Sequence, residues 1–123
     1  MKNKFAIVLL ATSLFSGQAA VAGNPVDETP GVRQVQATWD RAHLLMSSGK
    51  YAAAVAELDR GISLLPYIKR KLFRECVRDG AQARLAMAKG GQAFLAAHPA
   101  DMQGANRAAD YAWKTYPMRS DCP

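Results

Sequence analysis

The sequence predicts an all-α fold, a compact bundle of four to five helices, on three observations. From Val32 to Tyr116 apolar side chains recur at three- and four-residue steps, the spacing of one helical face. No run of alternating β-branched residues interrupts the pattern, so no strand is expected. Gly49, Pro66, Gly90-Gly91, Pro99 and Pro117 then cut the chain into pieces of helix length.

Residues 1–22 read as a secretory signal. MKNK is a basic head, FAIVLLATSLF an apolar run of eleven, and Ala20-Val21-Ala22 a small-x-small cleavage pattern before Gly23. The apolar run is shorter than the roughly 20 residues of a membrane span. The expectation is an exported protein, periplasmic or secreted, without a membrane span. Residues 23–31, GNPVDETPG, have no periodicity and read as a flexible leader. Residues 32–123 then form a single helical domain.

The first helix is expected over 32–47, where Val32, Val35, Trp39, Ala42 and Met46 share a face and Gly49 is a stop. The second, 50–64, ends before Pro66, which disfavours helical geometry in the residue ahead of it. The third, 67–89, carries the stripe Ile68, Leu72, Cys76, Gly80, Ala83 and Met87. Gly90-Gly91 is expected to break or kink it. A short piece over 92–97 follows. The last helix, 101–115, aligns Ala105, Ala109, Ala112 and Tyr116 beside Trp113, and Pro117 ends it.

A mature chain of 101 residues buries only about two thirds of its unfolded surface, so a covalent constraint would help it. Cys76 and Cys122, in a chain routed to an oxidising compartment, are expected to form a disulfide. The bridge would tie the C-terminus to the core. Removal of Lys2 and Lys4 with the signal leaves 14 basic residues against 10 acidic ones, a net charge of +4 in place of +6.

GKYAAAVAELDRGISLLP, residues 49–66, resembles the second half of a tetratricopeptide repeat, a 34-residue helix-turn-helix unit. Gly49-Lys50-Tyr51 matches its turn, Ala54 and Gly61 its small positions, Leu58 its large apolar one and Pro66 its closing proline. Trp39, Ala42, His43 and Met46 follow the spacing of the family's first helix with a turn one residue longer. His43 then stands where the family prefers glycine. Ala105, Ala109, Ala112 and Pro117 echo the same pattern 51 residues downstream. The resemblance covers about 36–66 and, as a half-repeat, about 100–117. It implies tetratricopeptide-like hairpins that grip another protein, with Trp39, His43 and Met46 lining the groove. Core packing is the other role open to Trp39. Solenoids generally need three or more repeats, so the count of units points to a compact bundle or a homodimer.

No motif of catalysis is present: no G-x-S-x-G, no H-E-x-x-H, no phosphate-binding glycine loop. The expectation is a non-enzyme without cofactor or metal, since the cysteines and His43 and His98 lack ligand spacing. The one marked charge feature is YIKRKLFRECVRD, in which Arg70, Arg74 and Arg78 step by four along one helical edge. They are candidates for an acidic partner, and Glu75 and Asp79 between them offer ordinary local pairing instead. Nucleic acid is disfavoured by export and by the lack of aromatics among the charges.

The leading expectation is a small exported adaptor that binds a protein partner. A second is a periplasmic immunity or inhibitor protein that neutralises a secreted toxin. The segment from Phe94 to Cys122 resembles the ending of small disulfide-bonded immunity proteins of type VI amidase effectors, although their upstream Cys-Gly-Tyr signature is missing. A third is a structural subunit of a cell-envelope complex.

Overall fold

A computed structural model describes residues 28–122. Residues 1–22, read from the sequence as an export signal, lie outside the described residues, as does the first part of the expected leader, 23–27. Among the described residues there are four helices and no strand. They are α1 (Glu28–Ser47), α2 (Tyr51–Ser63), α3 (Lys71–Ala97) and α4 (Met102–Thr115), with a 3₁₀ turn over Leu65–Tyr67 between α2 and α3. None of these helices is long and apolar enough to cross a membrane.

Helix α1 starts at Glu28, four residues earlier than the periodicity indicates. Pro30 is tolerated there because it falls in the first turn, where backbone N–H groups have no intrahelical acceptor. Gly31 is buried against the Tyr67 carbonyl. Helix α1 is stopped just past its end by Gly49, which adopts a left-handed φ of 77°. The Gly49 and Lys50 N–H groups donate to the Met46 and Leu45 carbonyls at 2.9 and 2.8 Å, the pattern of a Schellman stop. The turn is so short that α2 must fold back along α1.

Two boundaries of α3 differ from expectation. Ile68 is buried in an extended link and the helix begins only at Lys71, because the 3₁₀ turn around Pro66 uses up the preceding residues. Leu72, placed by periodicity on the apolar stripe, is 43% exposed. At the other end Gly90-Gly91 neither breaks nor kinks the chain. Helix α3 runs through both to Ala97 and absorbs the separate short piece. Gly91 is buried under the Tyr51 ring, and an added Cβ would collide with it. Gly90 faces the Ala108 carbonyl of α4, 3.2 Å from where a Cβ would sit. Each glycine costs about 1 kcal/mol of helix propensity. The packing of α2 and α4 against these two bare positions offsets it.

Helix α3 is the centre of the bundle. It packs on α4 and α2, α1 packs on α2, and α1 and α4 have no extensive packing on each other. The main core joins Ala42, Met46, Tyr51, Ala54, Leu58, Ala88, Ala105 and Ala109. A smaller one, Val35, Leu65 and Ile68, lies under the 3₁₀ turn, and Trp39 packs against both. Asp101 caps α4, its carboxylate accepting from the Gly104 N–H at 2.8 Å.

After α4 the tail turns back along α3. The Tyr116 hydroxyl donates to Gln82 at 3.2 Å, and the Arg119 N–H to Asp79 at 2.9 Å. The Arg119 guanidinium binds Glu75 at 2.9 Å. The sulfurs of Cys76 and Cys122 stand at disulfide distance, with Cα atoms 5.7 Å apart.

Candidate functional site

Because α1 and α4 both lean on α3 without closing on each other, an open cleft of about 400 Å³ remains between them. Helix α1 supplies His43, Met46 and Ser47, spaced so that one face carries all three. Met87 comes from α3, and Asn106, Ala109 and Asp110 come from α4. Tyr51, the first residue of α2, closes one end. Its hydroxyl donates to the Asn106 side-chain oxygen at 2.5 Å, tying α2 to α4 beneath the opening. Burial raises the Tyr51 pKa, so the phenol stays protonated and serves as a donor. Asp110 is held by Lys114 at 2.9 Å.

One helical turn further along each wall lies a second layer. The Arg84 guanidinium sits 4.0 Å from the Trp39 ring and 5.1 Å from the Trp113 ring, between α1 and α4. Gly80 makes room for it: an added Cβ would come within 2.9 Å of the Trp39 indole. The Arg84 Nη1 donates to the Gly80 carbonyl at 3.1 Å. The buried Arg84 Nε and Trp39 Nε1 have no hydrogen-bond partner. Burial lowers the Arg84 pKa, with Asp40 opposing, yet an arginine remains charged in proteins. Its field reaches the cleft. The His43 pKa is lowered first by partial burial and then by Arg84, with Asp40 acting the other way. His43 therefore stays neutral at pH 7 and offers one donor and one acceptor.

The structure brings Trp39, His43 and Met46 to this side of the bundle. Their exposures differ. Met46 is 6% exposed and belongs to the core, with an edge in the cleft wall, and Trp39 is half-buried, whereas His43 stands on the open rim. The basic edge lies elsewhere, at the start of α3, and none of its arginines lines the cleft. Arg70 stacks over Phe73 at 4.6 Å. Arg74 donates to the Ile68 and Lys69 carbonyls at 2.9 and 3.3 Å, fastening the link that precedes α3. Arg78 is exposed. The acids that interrupt this edge, Glu75 and Asp79, are taken by Arg119 of the tail.

Sequence reasoning missed Arg84, Met87 and Asn106 as lining or flanking residues, and it placed Trp113 without a role. One signal for Arg84 was legible. It is the lone charge in GAQARLAMA, residues 80–88, where every neighbour is small or apolar apart from Gln82. Among the described residues, no group of three or more His, Cys, Asp or Glu side chains could hold a metal ion. Compared with protein-family models, curated proteins and solved structures, the chain matches none.

Proposed function

We propose that this chain is a small exported, non-catalytic adaptor that grips a segment of another protein in the cleft between α1 and α4. The observation that carries the reading is the cleft itself, an open trough with an apolar floor at Met46, Met87 and Ala109. Its rim of His43, Ser47, Asn106 and Asp110 is polar. An open trough with an apolar floor and a polar rim has the anatomy of a protein interface and suits recognition of a side-chain row. The tetratricopeptide resemblance of 36–66 supports it from the sequence side, because that family binds proteins with paired helices. Photo-cross-linking in cells tests it. A photoreactive residue at Ser47 or Asn106 is expected to give one adduct of defined mass, absent when the residue is placed at Ala56 on α2. Equal adducts from all three positions would remove the reading.

A second reading, a periplasmic immunity protein, is favoured by the tail, where Cys122 lies at disulfide distance from Cys76 in a segment resembling such proteins. It predicts protection of cells against a toxin encoded beside it. Absence of protection eliminates it.

A further inference from the structure

We infer that the Trp39–Arg84–Trp113 layer is a receptor for a carboxylate side chain, so that the partner presents a glutamate or aspartate flanked by apolar residues. The inference rests on the adaptor reading and names the chemistry its cleft selects.

Three observations meet at this layer. First, Arg84 has no carboxylate at ion-pair distance among the described residues. Arg41 and Arg60, by contrast, pair with Glu57, and Arg119 pairs with Glu75 and Asp121. A partly buried cation without a counter-ion is costly, and stacking on indole rings recovers only part of that cost. Second, the layer is rich in donors and poor in acceptors. Arg84 spends one hydrogen bond, on the Gly80 carbonyl. Its Nε and the Trp39 Nε1 have none, and its Nη2 makes no hydrogen bond among the described residues and is not fully buried. Third, the positive field extends into the adjoining cleft, where Arg84 disfavours protonation of His43. Asp110, the acid on the opposite wall, is occupied by Lys114, and Asp40 stays beyond ion-pair distance. A guanidinium stacked on two rings and tied to the Gly80 carbonyl has few orientations, so its unpaired Nη2 is already placed for a carboxylate oxygen. The next turn of the cleft, with Met46 and Met87, then accepts an apolar neighbour of that acid.

The chain has two tryptophans, Trp39 and Trp113, and both flank Arg84, so fluorescence excited selectively in tryptophan, beyond the absorption of the four tyrosines, reports on this layer. The test titrates the whole protein with a short peptide, acetylated and amidated at its ends, bearing one glutamate among leucines and alanines. Its glutamine counterpart is the control. A saturable emission change is expected, with the glutamate peptide binding at least about tenfold tighter, the effect of one charge-assisted bond. Arg84→Met should abolish the preference with helical circular dichroism unchanged, and Arg84→Lys should reduce it, so that either variant suffices if the other fails to fold. Equal binding of both peptides, or no emission change with either, overturns the inference. A response confined to an uncapped, glutamate-free peptide assigns the site to a chain terminus and overturns it as well. If the carboxylate preference fails while cross-linking from Ser47 still yields its adduct, the adaptor reading stands without it.

Discussion

Between α1 and α2 the backbones approach until Gly61 lies directly under the Thr38 side chain, and between α2 and α3 the bare face of Gly91 meets the Tyr51 ring. Between α1 and α4 the arrangement is reversed. There Trp39, Arg84 and Trp113 stand across the gap, and next to them the cleft is left open. The same four-helix bundle thus has two seams that are closed by small residues and one that is propped by large ones. A glycine or alanine lets a neighbour's side chain fill the space and leaves no room for a guest. Bulky, partly polar side chains hold helices apart and leave donors such as the Arg84 Nε and Trp39 Nε1 without partners. The tail adds a third device, a clasp along α3 that fixes the far end of the propped seam.

The comparison can be broken first at the clasp. Replacing Cys122 by Ser frees a closure spanning 46 residues, and the chain-entropy model sets the loss at about 4 kcal/mol. Urea denaturation with and without reductant measures it. Identical midpoints for wild type in both conditions would show that the clasp contributes nothing. The closed seams come next. Leu58→Ala, at a fully buried position, should cost about 3 kcal/mol. Gly91→Ala should cost about 2 kcal/mol through overpacking against Tyr51, although alanine is the better helix former. A Gly91→Ala variant more stable than wild type would mean that propensity, not packing, governs that contact.

The propped seam should respond weakly. Arg84→Met keeps the length of the side chain and removes an under-paired charge, so stability should change by less than about 1 kcal/mol. A loss as large as that of Leu58→Ala would make Arg84 a structural pin. The smallest effect concerns pH. His43 is harder to protonate in the folded chain than its ordinary value of 6.5. Its contribution to stability is therefore full above that value and is lost as pH falls through it toward the lower folded pKa. His43→Gln should flatten the stability profile between pH 7 and 5, and a profile identical to wild type would place the imidazole in free solvent.

Helix identity was legible because burial in a bundle imposes a 3.6-residue period that the chain displays throughout. The stops at Gly49 and Pro117 were legible for a local reason, since each residue restricts its own backbone. Local preference points to a break at Gly90-Gly91, and the structure differs because Tyr51 and Ala108, both remote in sequence, pack against bare positions there. Arg70, Arg74 and Arg78 stand out in the sequence as a step of charge by four, interrupted by Glu75 and Asp79. Two of them turn out to be engaged, Arg74 by backbone carbonyls and Arg70 by the Phe73 ring. Arg84, a single charge among alanines, forms no such step.

By itself, then, the sequence determined the all-α class, most helix ends and the pairing of Cys76 with Cys122. These depend on residue periodicity, on local backbone preference and on there being only two cysteines. Only the tertiary structure decided that α3 runs unbroken, that Arg119 of the returning tail takes Glu75 and Asp79, and that Trp39 and Trp113 meet across Arg84. Those outcomes depend on which side chains face one another between helices distant in sequence, and short-range spacing carries no record of that.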